Sequence, residues 1–222
     1  MNQPDPSNGS GIAVEGNPAL TFFREWLRNP FAMAAVSPSG RRLASLMMEQ
    51  LPPDAQRVIE LGGGTGVFTR ALLQHGIQPR NLLVIELNEA LHQYLSERFP
   101  GVHVEQGDAR QVHEIARRCG VLDERDKADA VISGLGLLYM SHAAQREILT
   151  SAFDALAPDG RFIQFTYGPL SPVPRALLDE LQLKARRAGF VWRNMPPAHV
   201  FVYQRRNSRV IKARRGEPQG GS

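Results

Sequence analysis

Val58-Ile59-Glu60-Leu61-Gly62-Gly63-Gly64-Thr65-Gly66 carries an apolar strand into an acid and then into three alternate glycines. Val67-Phe68-Thr69-Arg70-Ala71-Leu72 follows with the spacing of an amphipathic helix. Glycines let the backbone turn sharply and approach a ligand closely. A helix starting there turns its free N–H groups and positive dipole end toward that ligand. Two common cradles are excluded by spacing. A dinucleotide turn needs G-x-G-x-x-G, but counting from Gly62 its last position is Val67; the phosphate loop G-x-x-x-x-G-K-[ST] lacks its second glycine and its lysine. What remains is E-x-G-x-G-x-G. Glu60 would repel a pyrophosphate and suits an α-amino group, so the expected ligand combines an ammonium, a carboxylate and a nucleoside. Taken alone, the glycines also fit a tight strand-to-helix connection with no ligand.

Two further segments favour the ligand. Leu82-Leu83-Val84-Ile85-Glu86 is an apolar run closed by a carboxylate, after which Leu87 and Asn88 open the periodic segment Leu91, Tyr94, Leu95. Glu86 is placed to accept both hydroxyls of a ribose. Val102-His103-Val104-Glu105-Gln106 gives way to Gly107-Asp108-Ala109, where Asp108 can accept a hydrogen bond from an adenine amino group. Each acid has a plainer alternative, Glu86 as a helix cap and Asp108 as a turn residue. Three acids at successive strand ends nevertheless line one crevice if the sheet is open and parallel. The ligand so described is S-adenosylmethionine, with Glu60, Gly62, Gly64, Thr65 and Gly66 at the methionine end. Glu86, Leu87 and Asn88 meet the ribose, Asp108 and Ala109 the adenine side, and Ser133 borders the methyl group. Here the chain resembles the class I methyltransferases that use S-adenosylmethionine.

Apolar runs near 56–61, 81–86, 101–106, 128–133, 160–167, 189–194 and 198–205 predict seven strands, most of them separated by helical segments. Such alternation is α/β, a Rossmann-like, mostly parallel sheet with helices on both faces. The last two runs are joined by Met195-Pro196-Pro197, too short for a crossover helix, so they form an antiparallel pair at one edge. Ser37-Pro38-Ser39 caps a covering helix through Leu43, Leu46, Met47 and Leu51. Residues 1–17 and 207–222 are polar tails expected to be disordered, the second basic. Residues 18–51 form an N-terminal amphipathic helical extension, expected to serve as membrane-docking helix and cofactor lid, and 52–206 form the single domain. The 222 residues, 42% apolar, suffice for one core without disulfides. Cys119 is the only cysteine, which suits a reducing cytoplasm, and it reads as a small buried apolar residue. The apolar stretches fall short of a membrane span, and the N-terminus lacks the order of a secretion signal. Six scattered histidines give no metal-ligand spacing, so no metal is expected.

Strand four, Ala128-Asp129-Ala130-Val131-Ile132, runs into Ser133-Gly134-Leu135-Gly136-Leu137-Leu138-Tyr139, where a methyl group would meet its acceptor. Methyl transfer is an in-line displacement at a sulfonium carbon, so alignment contributes most and no strong acid or base is obligatory. Gly134 admits the acceptor, the carbonyls of Ser133 to Leu135 can hold an amine's protons, and Tyr139 can face the developing cation or simply pack on the core. Tyr167, closing strand five at the same margin, is a candidate for the acceptor pocket.

A narrower resemblance rests on Ala35-Val36-Ser37-Pro38-Ser39 with Leu43-Ala44, on Ser133-Gly134-Leu135-Gly136-Leu137-Leu138, on Phe162-Ile163-Gln164-Phe165-Thr166-Tyr167-Gly168-Pro169-Leu170-Ser171-Pro172, and on Asn194-Met195-Pro196-Pro197-Ala198-His199-Val200 before Tyr203. Over residues 20–206 the chain is similar to the bacterial phospholipid N-methyltransferases. That resemblance implies stepwise methylation of phosphatidylethanolamine toward phosphatidylcholine, at the inner face of the cell membrane. Gly136 stands where that family has proline. The rRNA adenine dimethyltransferases share the cradle but carry an Asn-x-Pro-Tyr-type loop in place of Ser133-Gly134-Leu135-Gly136.

Leu20, Phe23, Trp26 and Leu27 share one face of a helix, with Arg24, Glu25 and Arg28 turned elsewhere and Arg41 and Arg42 further on. This pattern suits peripheral docking on anionic phospholipid, and equally a helix packed on the domain. The net charge of +4 and pI near 9.6 point to anionic partners; lipid is the expected one, and nucleic acid is disfavoured because no RNA-binding signature is present. The competing functions are an rRNA adenine or small-amine N-methyltransferase, and a cofactor-binding regulator without turnover.

Overall fold

The computed structural model describes residues 38–123, 126–192 and 197–207. The proposed docking face from Leu20 to Arg28, both tails as far as residues 1–17 and 208–222, and part of the Met195-Pro196-Pro197 turn lie outside these residues.

Seven strands form one sheet: β1 (Val58–Leu61), β2 (Leu82–Glu86), β3 (His103–Gln106), β4 (Ala128–Ser133), β5 (Leu156–Thr166), β6 (Leu183–Val191) and β7 (Ala198–Arg205). Their spatial order is β3-β2-β1-β4-β5-β7-β6. The first five are parallel, and β7 runs antiparallel between β5 and the terminal β6. This is the mostly parallel, Rossmann-like arrangement with its antiparallel strand at one edge. β1, β2 and the inner half of β4 are apolar almost throughout because helices cover both of their faces.

The helices are α1 (Pro38–Met48), α2 (Val67–His75), α3 (Glu89–Arg98), α4 (Val112–Arg118), α5 (His142–Ala155) and α6 (Arg175–Glu180). On one face Leu43, Met47, Leu72 and Leu95 pack on Val58, Val84, Ile132 and Ile163. On the other, Ile115, Leu149, Phe153 and Leu177 pack on Ile59, Leu83, Val131, Phe162 and Tyr203. Arg161 of β5 fixes the end of α1 by donating to the Gln50 and Leu51 carbonyls at 2.7 and 3.1 Å. Burial strips water from that guanidinium and holds its pKa below the ordinary value.

Two strands differ from their sequence expectation. β5 begins at Leu156, four residues before the expected start, passing through Pro158-Asp159-Gly160 with a register shift against β4 between Ala128 and Ala130. Tyr167 falls one residue beyond its end. β6 spans Leu183–Val191 rather than 189–194, and its middle residues Ala185, Arg186 and Arg187 are exposed. Their strand geometry comes from pairing with β7, and charge on a sheet edge discourages pairing with other chains. Cys119 is half-buried, with its thiol toward the Ala116 carbonyl. Among the described residues no helix is long and apolar enough to cross a membrane.

Candidate active site

The carboxyl ends of β1, β2, β3 and β4 meet along one margin. Glu60 lies beside Val84 and Ile132, Glu86 beside Gln106, and Ser133 beside Leu61 on one side and Gln164 on the other. Backbone bonds continue the register past the strands, from Gly62 N to Ile85 O, Gly107 N to Glu86 O and Gly134 N to Leu61 O.

The glycine turn is built for close packing. Gly62, Gly64 and Gly66 all have positive φ, and Gly66 stands at 77° as the residue preceding α2. A Cβ on Gly66 would lie 2.3 Å from the Phe99 ring, so the turn has no room for a side chain even apart from its backbone conformation. No side chain caps α2, leaving its N-terminal dipole turned toward the margin.

Glu60 is fully buried, and one of its oxygens accepts from Thr69 Oγ1 at 2.7 Å. The other, Oε1, finds no hydrogen-bond partner. Burial pushes its carboxyl up to about 8, against the opposing pull of the Thr69 hydroxyl and backbone N–H, with the charge of Glu86 adding to the rise. A buried acceptor without a donor costs about 1–3 kcal/mol. An α-ammonium group supplies the missing donor, so the orphaned oxygen fits the methionine end of S-adenosylmethionine.

Glu86 already organises the cradle. Its Oε2 accepts from Gly64 N and its Oε1 from Asn88 N, both at 2.9 Å. These bonds tie the glycine turn to the loop after β2, and each carboxylate oxygen retains a lone pair for a ribose hydroxyl. Asn88 caps α3 by accepting from Leu91 N, and Leu87 is exposed beside it. Asp108 accepts from the Arg110 backbone N–H and guanidinium, which hold its carboxyl below the usual carboxylate range. It therefore caps the turn after β3, the plainer of the two roles the sequence allowed, and the Asp108-Ala109 step is half-buried. Thr65 is half-buried within the turn.

Gly134 sits against the cradle, where a Cβ would lie 2.8 Å from the Gly62 carbonyl oxygen. Leu135 packs over Gly62, and its carbonyl accepts from Gln164 Nε2 at 2.8 Å. Gln145 of α5 reaches the Leu137 carbonyl at 2.7 Å and the Pro172 carbonyl at 3.2 Å, joining the loops after β4 and β5. Both glutamines are buried, and the sequence marked neither as a support. For Gln164 the available signal was a lone amide within the apolar run Phe162-Ile163-Gln164-Phe165, and Gln145, followed by Arg146 and Glu147, offered none. Tyr139 ends a short 3-10 turn, with burial raising the pKa of its hydroxyl. Tyr167 lies on the opposite face of the margin, edge-on to Phe165 with ring centres 5.4 Å apart. Phe165 in turn meets Phe68 at 5.8 Å, and Phe68 stands 3.7 Å from a Cβ on Gly134. Phe68, Phe165 and Tyr167 thus form an aromatic wall beside Gly134, to which only Tyr167 was assigned from sequence.

Residues 58–160 match the family described as a methyltransferase domain. The sheet around them has the Rossmann-like methyltransferase fold. The orphaned oxygen of Glu60 and the Glu86 carboxylate at the glycine turn fit S-adenosylmethionine as a cofactor. The chain is 28% identical over 186 residues to an ornithine lipid N-methyltransferase of Singulisphaera acidiphila, covering 81% of this chain and 92% of that one. A ribosomal RNA small subunit methyltransferase A of Synechococcus is 34% identical over 94 residues, which is 41% of this chain and 31% of that relative. Among solved structures, the S-adenosylmethionine-bound amino pentose methyltransferase from Micromonospora echinaspora shares the fold, with a TM-score of 0.52 at 15% identity, covering 82% of this chain and 96% of that one. No group of His, Cys, Asp and Glu among the described residues of the domain could hold a metal ion.

The buried Glu60 makes cofactor affinity and stability depend on pH. With its carboxyl raised from 4.5 to about 8, the folded, cofactor-free protein keeps a proton that the unfolded chain has released. Stability from this group is therefore greatest below pH 4.5, falls by up to about 1.4 kcal/mol per pH unit through the interval to pH 8, and is level above it. Binding of the cofactor's ammonium favours the ionised form, so calorimetry at pH 7 in buffers of different ionisation enthalpy should record proton release on binding. Glu60→Gln should abolish that release and flatten the stability profile. Equal proton release in both proteins would dissociate Glu60 from the ammonium.

Proposed function

We propose that the domain moves a methyl group from S-adenosylmethionine to the amine of a membrane-lipid headgroup, phosphatidylethanolamine on the path to phosphatidylcholine being the specific expectation. The observation carrying the reading is the aromatic wall of Phe68, Phe165 and Tyr167 beside Gly134. Aromatic faces attract an amine that gains positive charge as it is methylated, and they accept the increasingly methylated headgroup better than a row of carboxylates could. The similarity to an ornithine lipid N-methyltransferase along nearly its whole length supports a lipid acceptor. Both lipids offer an amine close to an anionic group.

When bound, the cofactor supplies an electrophilic methyl carbon. Glu60 and the α2 N-terminus would hold its methionine end, Glu86 its ribose with Leu87 and Asn88 beside it, and Asp108 and Ala109 would border its adenine. Gly134 lets the loop after β4 lie close against the cradle, the Ser133 to Leu135 carbonyls can accept hydrogen bonds from the amine's N–H groups, and Gln164 keeps the Leu135 carbonyl in place. Tyr139 and Tyr167 would stand on either side of the transfer point. Alignment is the main contribution of these groups. Attachment to anionic lipid through Leu20, Phe23, Trp26 and Leu27, flanked by Arg24 and Arg28, belongs to the same proposal.

Radiolabelled S-adenosylmethionine offered with phosphatidylethanolamine vesicles, ornithine-lipid vesicles, rRNA or polyamine should place label in a lipid. Label in rRNA or polyamine would replace the lipid reading, and cofactor binding with no labelled acceptor would favour a regulator.

A further inference from the structure

We infer that the β4–β5–β7–β6 half of the sheet's carboxyl margin is a second bilayer contact, one that seats on the membrane holding the acceptor lipid. The inference rests on the lipid reading above and adds a surface distinct from the N-terminal segment. Five large apolar side chains are exposed among the described residues, and all lie at this end of the sheet. Leu87, after β2, flanks the cofactor half. The other four flank the acceptor half: Leu138 (41% exposed), Leu170 (78%), Phe190 (45%) and Trp192 (75%).

These four belong to one continuous surface. Phe190 and Trp192 are ring neighbours at 6.1 Å, and Phe190 stacks on His199 at 4.4 Å. His199 is paired across the ladder with Thr166. A Cβ on Gly168 would touch Thr166 Oγ1 at 3.9 Å and Leu138 Cδ2 at 3.7 Å, which carries the surface to the loop bearing Leu170. The charge pattern matches an anionic bilayer. Segments 133–141, 166–178, 187–192 and 197–200 contain no Asp or Glu, and their only charges are Arg175 and Arg187. The cofactor half, by contrast, carries Glu60, Glu86, Glu89, Glu105 and Asp108 along its strand ends. Exposed Trp and Phe with Leu, edged by Arg and free of acids, is the composition of an interfacial membrane contact. Leu138 and Leu170 beside the two aromatics, with no run of Lys or Arg in these segments to track a phosphate backbone, make lipid the occupant the surface fits. Docked this way, the opening beside Gly134 would face the headgroup layer.

The chain contains two tryptophans, so Trp26→Phe leaves Trp192 as the sole reporter in the full-length protein. With vesicles of phosphatidylethanolamine and phosphatidylglycerol, Trp192 emission should shift to the blue and be quenched by brominated acyl chains. Adding Leu170→Glu and Trp192→Glu to the natural sequence should weaken vesicle binding by about tenfold or more, with the cofactor dissociation constant changed less than about twofold. Label entering vesicle lipid while Trp192 stays unquenched would overturn this surface and leave the lipid reading intact. Absence of both would remove the two together. Concentration-dependent dimerisation abolished by Trp192→Glu, without a vesicle response, would reassign the surface to a second copy of the chain.

Discussion

Glu86→Ala should raise the dissociation constant of S-adenosylmethionine by about 100-fold or more and lower stability by about 2–4 kcal/mol. The two effects have one origin. The Glu86 carboxylate accepts two backbone N–H groups, from Gly64 and Asn88, and is itself only 7% exposed. Alanine leaves both donors without their charged acceptor, and a hydrogen bond to a charged group contributes about 1.5–3 kcal/mol. Part of that loss is offset, because removing Glu86 also removes a charge that disfavours ionisation of Glu60. The affinity loss has two parts, the ribose hydroxyls losing their acceptor and the glycine turn losing the tie that fixes it against β2. Glu86→Gln separates them. Its amide keeps one acceptor oxygen but turns an NH₂ toward either Gly64 N or Asn88 N, so stability should fall less than in alanine while affinity still drops by about tenfold. Calorimetric titration together with urea unfolding of each variant provides the measurement. A stability loss in Glu86→Ala with unchanged cofactor affinity would make Glu86 a structural clamp alone.

Such dual roles explain which parts of the site were legible in the sequence. Glu60 and Glu86 stand at the ends of apolar runs and Asp108 two residues past the third strand, and in a parallel sheet such ends converge, so their shared margin followed from spacing. Their local partners were less accessible. The pairing of Glu60 with Thr69 requires the helix after the glycine turn to fold back over the strand end, and the bonds from Arg110 to Asp108 depend on the turn that follows β3. The aromatic wall draws Phe68 from α2 and Phe165 with Tyr167 from the end of β5, and only the three-dimensional crossing of those elements unites them. Gln164 and Gln145 act on carbonyls, which every residue possesses, so no sequence pattern names their targets.

The fold divides along the same line. β1, β2 and β4 are buried on both faces and appear as short apolar runs whose limits sequence locates within a few residues. β6 has only its two ends buried, and Lys184-Ala185-Arg186-Arg187 shows neither alternation nor continuity. Its pairing partner β7 follows it in the chain, and the ladder from Leu183 with Arg205 to Val191 with Ala198 defines the strand. The early start of β5 has a similar cause. Pro158-Asp159-Gly160 reads as a turn, and it bulges out of the ladder between Leu156 and Arg161, whose partners on β4 are only two residues apart.

Gly134→Ala should reduce the single-turnover methylation rate on lipid vesicles by about 100-fold at saturating cofactor. A methyl group there would stand 2.8 Å from the Gly62 carbonyl oxygen and 3.4 Å from that of Leu61. Neither can retreat freely. Gly62 N is bonded to Ile85 O, and Leu61 O accepts Gly134 N at 2.8 Å, so the cradle is held on both sides. The loop after β4 must therefore lift away from the cofactor, although Gln164 and Gln145 hold the Leu135 and Leu137 carbonyls behind it. Displacement of reacting groups by about 1 Å costs about 100-fold in rate when alignment supplies most of the catalysis. Overpacking at such a site lowers stability by about 1–3 kcal/mol, so the variant should fold and be measurable. Cofactor affinity should fall by a much smaller factor than the rate, because Glu60 keeps its bond to Thr69 and Glu86 its bonds to Gly64 and Asn88. An unchanged single-turnover rate would put the transfer point somewhere other than the Gly134 opening, and a loss of affinity as large as the loss of rate would make Gly134 part of the cofactor cradle itself.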